Sequence, residues 1–149
     1  MYSTIVVDTD GSRDAEQALR AAAELAGLSA NPEVHVVTAY RPLSTTELER
    51  IAHQVPEDVR PLLHAHVGAE GIITDARTIF QVAAIEAEFH EVDDDPTDAL
   101  LTTAERVRAD LIVVGSRGEG LAKRALHGSV STKVLHNAPC AVLVVKSDR

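Results

Sequence analysis

The chain has 149 residues, a formal net charge of −9, 3% aromatic residues, no Trp and one cysteine. That length favours one domain over residues 1–149 with an aliphatic core of Val, Ile, Leu and Ala. The composition excludes an aromatic platform for stacking bases, the acidic balance disfavours long nucleic acid and anionic membrane as partners, and a lone Cys140 excludes an internal disulfide.

Thr4 to Asp8 is predicted as a buried strand, because Ile5-Val6-Val7 is continuous and apolar. No leader pattern precedes it, and no apolar run approaches the roughly 20 residues of a bilayer span, so the expected location is the cytoplasm. Asp8-Thr9-Asp10-Gly11-Ser12 is a dense turn signal. Ala15, Ala18, Leu19, Ala22, Ala23 and Ala26 then recur at helical spacing, and Gly27 is expected to stop that helix at C′. Asp10 is a candidate cap of this helix as well as a candidate ligand contact. Val34 to Tyr40 is the second strand, closed by Arg41-Pro42.

Ser44 to Ile85 is predicted as a long, broken helical excursion. Ser44-Thr45-Thr46-Glu47 has the capping-box form, Pro56 and Pro61 interrupt it, and Ile72, Ile73, Ala76, Ile79, Phe80 and Ala83 form a later stripe. Ile85 to Glu91 alternates, with Glu86, Glu88 and His90 on a wet face, as in a strand near a sheet edge. Asp93-Asp94-Asp95-Pro96 is a turn into a helix over Pro96 to Arg108. Leu111 to Val114 is the fourth strand, a helix runs from about Lys123 to His136, and Cys140 to Val145 is the fifth strand. Such alternation predicts one doubly wound parallel sheet with helices on both faces, and a ligand crevice beyond the carboxyl ends of strands one and four.

The fourth strand ends in Gly115-Ser116-Arg117-Gly118, and Gly128-Ser129-Val130-Ser131 follows. Gly115 and Gly118 permit a tight turn or close approach of backbone to ligand. Unpaired N–H groups at a helix start favour an anion, Ser129 and Ser131 add hydroxyls, and Arg117, Lys123 and Arg124 add cations. These parts describe a phosphate cradle. It is neither a P-loop nor the dinucleotide fingerprint, whose glycine patterns are absent.

The spacing Gly115-x2-Gly118-x9-Gly128-Ser129 resembles the ATP-binding signature of the universal stress protein family. The likeness spans the chain: Thr9-Asp10-Gly11-Ser12, Asp95-Pro96-Thr97-Asp98-Ala99-Leu100, Ala109 to Gly118 and Ala138 to Lys146 agree in order, with Asp94 standing where the family usually has Gly. The resemblance implies the adenine nucleotide alpha-hydrolase-like fold with strand order 3-2-1-4-5. It implies a nucleotide site of Thr9, Asp10, Ala39, Val114, Gly115, Arg117, Gly118, Gly128, Ser129, Val130 and Ser131. Asp10 would meet the ribose or adenine, the Ala39 backbone the adenine, and Val114 the nucleoside. Gly115, Gly118, Gly128, Ser129 and Val130 would contact phosphate and ribose. The ligand would be ATP, or ADP, AMP or cyclic AMP, alone or with Mg.

No Ser-His-Asp arrangement, metal cluster or nucleophile elbow stands out, so no catalytic residue and no metal ligand are expected. His64-x-His66 lacks a third ligand, and His35 and His90 fall on outward strand positions. Ala141 to Val145 is apolar on both faces, and at a sheet edge it requires cover. Pairing with a second copy through Cys140–Val145 is the simplest cover, and the resemblance implies the same homodimer. The expected protein is a nucleotide-dependent stress-response regulator or interaction module. The competing readings are a slow ATPase, a cyclic-AMP binder and a nucleotide-free dimer. Gly115→Val with Gly128→Val is expected to abolish binding without disturbing the fold.

Overall fold

The computed structural model describes residues 1–40, 45–54, 65–116 and 129–147. In chain order these form β1 (Thr4–Asp8), α1 (Arg13–Ala26), β2 (Glu33–Tyr40), α2 (Thr45–Ala52), α3 (Ala65–Val82), β3 (Glu88–Asp93), α4 (Pro96–Val107), β4 (Leu111–Gly115), α5 (Ser129–Asn137) and β5 (Ala141–Val145). The strands make one parallel sheet in the order β3-β2-β1-β4-β5. The doubly wound fold and strand order expected from the sequence are both present.

Strand alternation sends side chains to two cores. Ile5, Val7, Val34, Val36, Leu111 and Val113 face α1 and α3, where they meet Leu19, Ala22, Ala76 and Phe80. Val6, Val37, Ile112 and Val114 face the other way, toward Ala99, Leu100 and Ala104 of α4 and Val134 of α5. Each fully buried Val, Leu, Ile or Phe contributes about 1.5–3 kcal/mol relative to exposure. The central strands β1 and β4 are therefore apolar on both faces, which is why their sequences run without alternation.

The helix ends differ from expectation. Gly27 caps α1 at φ −61°, in the right-handed region, so its glycine freedom is unused. Left-handed positions fall instead on Ala84 and Arg108, both at φ 55°. At each, two backbone bonds close a Schellman motif: Ile85 N–H donates to Phe80 O at 3.0 Å and Ala84 N–H to Gln81 O at 3.1 Å; Ala109 N–H donates to Ala104 O at 2.9 Å and Arg108 N–H to Glu105 O at 3.2 Å. Ile85 thus belongs to the exit from α3, and the third strand begins at Glu88 rather than Ile85. The excursion is helical where it is described, as α2 and α3. Its capping-box Ser44, Pro56, Pro61 and His64 lie outside the described residues, as does the side chain of His66.

At α4 the predicted acidic turn is observed: the Asp95 carboxylate caps the helix, accepting from Thr97 N–H at 3.0 Å. The helix from Lys123 is described only from Ser129 onward.

Candidate functional site

The carboxyl ends of β1, β2 and β4 meet at one rim of the sheet. β1 delivers Asp8, Thr9 and Asp10; β2 delivers Ala39; β4 delivers Val114, Gly115 and Ser116. The first turn of α5, Ser129-Val130-Ser131, follows β4 in the chain. Ala39, Val114 and Val130 belong to the same apolar cluster, on the α4–α5 side of the sheet. Expected site residues from four elements are thus gathered at one rim. Arg117, Gly118, Gly128, Lys123 and Arg124 lie outside the described residues, as does the Ser129 side chain.

Two of the predicted residues have local structural duties. Thr9 is buried, its N–H donates to Val37 O at 2.9 Å, and its Oγ1 accepts from Gly11 N–H at 3.4 Å. Asp10 does not cap α1. Its Oδ1 accepts from Ser12 N–H at 2.9 Å in an Asx turn, and the cap is Ser12, whose Oγ accepts from Ala15 N–H at 3.2 Å. Gly11 closes this turn at φ +81°, a conformation that Cβ-bearing residues resist.

Gly115 has a packing reason of its own. A Cβ there would lie 2.8 Å from the carbonyl carbon of Asp14 and 2.9 Å from the Ala15 nitrogen, so only glycine lets β4 end against the first turn of α1. Gly115→Val would disturb the fold, contrary to the expectation that a valine there would be silent except toward ligand.

Sequence reasoning missed the groups that lock this rim. The Asp14 carboxylate, nearly buried, accepts hydrogen bonds from the hydroxyls of Ser116 and Ser147 and, at 3.2 Å, from Ser147 N–H. One side chain thereby ties α1 to the end of β4 and to the chain leaving β5. Ser131, also buried, donates from Oγ to Ser116 O at 3.5 Å, which joins α5 to the same point. An Asp in a helix first turn was the available signal, but its partners lie over 100 residues away.

Asp8 was read as the end of the first strand and the start of a turn, with no site role of its own. Burial, followed by the neighbouring Asp10 carboxylate, raises its pKa to about 7. Alternation from Val6 puts Asp8 on the α4–α5 side of the sheet, the side of Ala39 and Val114. Near neutral pH this rim thus carries less negative charge than its two carboxyls imply.

A cleft of about 300 Å³ lies on the opposite side of β1, between α1 and α3, lined by Gly11, Glu16, Arg20, Ile72 and Asp75 among others. It shares Thr9 and the Gly11–Ser12 turn with the rim but none of Ala39, Val114 and Val130.

These features define an open parallel α/β protein in which strand order reverses between β1 and β4, the place where such sheets take their ligands. The universal stress protein family model matches residues 1–146, and the chain belongs to that family. Universal stress protein YxiE of Bacillus subtilis is 32% identical over 150 residues, covering 98% of this chain and 100% of its own. A solved universal stress protein in complex with cAMP is 32% identical, with a TM-score of 0.72 and 99% of both chains covered. The universal stress protein from Archaeoglobus fulgidus in complex with dAMP is 26% identical, with a TM-score of 0.68, covering 97% of this chain and 98% of its own.

Proposed function

We propose that the protein binds an adenine nucleotide at the β1–β4 rim and acts as a stress-response regulator whose bound state is read by partners. Residues 1–149 work as one domain, paired into a homodimer along β5 and placed in the cytoplasm. The observation that carries this reading is the junction of β4 and α5. The strand ends at Gly115, the described helix begins at Ser129, and the glycine spacing between them is that of a phosphate cradle. The positive end of the α5 dipole points toward this junction and favours a phosphate there. Ala39, Val114 and Val130 form the apolar side against which a nucleoside would pack.

The cAMP and dAMP complexes of relatives support an adenine nucleoside with one phosphate as a sufficient ligand. ATP, ADP, AMP and cyclic AMP are therefore the panel to test, with and without Mg.

Calorimetric titration with the four nucleotides is the direct test. Gly128→Val is the clean probe, since Gly115 is engaged in packing. Wild type should bind at least one of them, and the variant should lose 100-fold or more in affinity with an unchanged circular dichroism spectrum. Unaltered affinity in Gly128→Val would remove the assignment, and fast Mg-ATP turnover by wild type would make the protein an enzyme instead.

A further inference from the structure

At the other edge of the sheet, β2 and β3 bring two histidines and two carboxylates together. His35 is paired in register with Glu88, one strand over, and His90 follows two residues later on the same face. Against expectation, His35 does not point outward into solvent: its side chain is 3% exposed, while those of His90 and Glu88 are 15% and 64% exposed. His35 Nδ1 lies 3.0 Å from His90 Nε2 and 3.6 Å from Glu88 Oε2, and His90 Nε2 lies 3.6 Å from Glu88 Oε1. On its far side, His35 Nε2 is 2.9 Å from Glu33 Oε1.

We propose that His35 Nδ1, His90 Nε2 and the Glu88 carboxylate form a binding site for a divalent transition-metal ion, with Zn²⁺ the best fit. Four ligands about 2.05 Å from a tetrahedral zinc stand about 3.3 Å from one another. The histidine pair at 3.0 Å and the approach of each imidazole to one oxygen of the Glu88 carboxylate at 3.6 Å bracket that value, and with a single ligand atom from each residue all three lie within 4.8 Å of one another. Two imidazoles and one carboxylate are the borderline donor set that Zn²⁺ and its first-row neighbours take, rather than the all-oxygen set of Mg²⁺ or Ca²⁺. The fourth position falls to solvent, reached past exposed Glu88 on the edge strand.

Glu33 gives the site a second layer. A carboxylate accepting from Nε2–H fixes His35 in the tautomer whose Nδ1 carries a lone pair, which is the usual support of a metal-bound histidine. With no metal bound, His90 Nε2–H must be the donor to that lone pair. Binding requires His90 to move its ring proton to Nδ1, so the metal replaces a shared proton and the pair's proton count is unchanged. Arg106 is the opposing charge on the α4 side; the carboxylates of Glu33 and Glu88 outnumber it, within a chain of net charge −9. The site is distinct from the nucleotide rim: His35 and Ala39 are four residues apart on β2, about 13 Å along the strand.

The test is titration of the whole protein with Zn²⁺ against a chelating dye, with Co²⁺ as an optical probe. One Zn²⁺ per chain should bind with a Kd in the micromolar range or below, and Co²⁺ should give the intense visible bands of a four-coordinate centre. Glu88→Gln, at an exposed position, should weaken binding tenfold or more, and His90→Gln a hundredfold or more. Glu33→Gln, which leaves all three ligands in place, should weaken it 10- to 100-fold. The chain has seven histidines, so stoichiometry alone decides nothing. Zn²⁺ affinity unchanged in both Glu88→Gln and His90→Gln would overturn the proposal. So would histidine ¹⁵N resonances showing the His35–His90 proton retained at saturating Zn²⁺.

Discussion

The two edges of the sheet solve the same problem in opposite ways. β3 ends the sheet on one side with Glu88, His90, Glu91 and Asp93, and its apolar Phe89 is closed off by α3. There Phe80 meets Phe89 edge-on at 6.3 Å and the Arg77 guanidinium lies 4.3 Å above the same ring. β5 ends the other side with Ala-Val-Leu-Val-Val, half-buried from Val142 to Val145, and carries no charge until Lys146. An edge rich in charge repels a stray strand, whereas an apolar one invites it. The contrast teaches that β3 carries its own protection against pairing, whereas β5 among the described residues does not, and the proposed homodimer would supply it.

The largest expected effect is on that asymmetry. Val142→Lys puts a cation on β5 whose stem can still lie along the apolar cluster while its head seeks water. In a two-fold interface the charge occurs twice, so even a modest cost per copy weakens pairing by about a hundredfold or more. Sedimentation at micromolar concentration should show dimers for wild type and monomers for the variant, with unchanged circular dichroism. Glu88→Lys at the polar edge should leave the association state as it was. If the two substitutions act alike, the edges are not different in kind.

A smaller effect separates the edges by how they are anchored. Asp14 holds the chain beyond β5 through Ser147, and the end of β4 through Ser116. Asp14→Ala leaves these buried or half-buried donors without their acceptor and should cost about 2–4 kcal/mol in urea unfolding. Asp14→Asn keeps shape and one acceptor and should cost less. Amide exchange should rise first in β5 and the end of β4, and least in β3, which has no tie to this carboxylate among the described residues.

The same contrast decides how much could be read in advance. β1 was legible to the residue, and β2, β4 and β5 to within one, because continuous β-branched runs between turn residues have no competing interpretation. β3 was misplaced by three residues at its start and two at its end, since Ile85 and Ala87 carry a strand-like alternation while serving the exit from α3. His35 was read as outward from strand period alone, and that period cannot say that α4 and the neighbouring strand close over the position. That Asp8 to Asp10, Ala39 and Val114 to Ser116 come to one rim followed from the topology, while Gly118 and Gly128 lie outside the described residues. The rim's lock did not follow, because Asp14, Ser116 and Ser147 are joined only by the fold, across 102 and 133 residues.

The smallest prediction concerns how the chain is handed into the two edges' neighbours. Ala84, which starts the turn into β3, holds φ 55° with a Cβ that the left-handed region penalises by about 1–2 kcal/mol. Glycine removes that penalty and returns about 0.5–1 kcal/mol as extra unfolded-state freedom. Ala84→Gly should therefore stabilise by about 0.5 kcal/mol. Gly27, on the way into β2, is the reverse case: φ is −61°, and an added Cβ would meet only Glu24 O at 3.4 Å and Ala23 O at 3.6 Å, ordinary contacts. Gly27→Ala should stabilise by about 0.4–1 kcal/mol through the unfolded chain. Exchanging the two residues should thus raise the unfolding midpoint above that of wild type. A loss of stability in Ala84→Gly would mean that this turn does not sit left-handed in solution, and the late start of β3 would lose its physical cause.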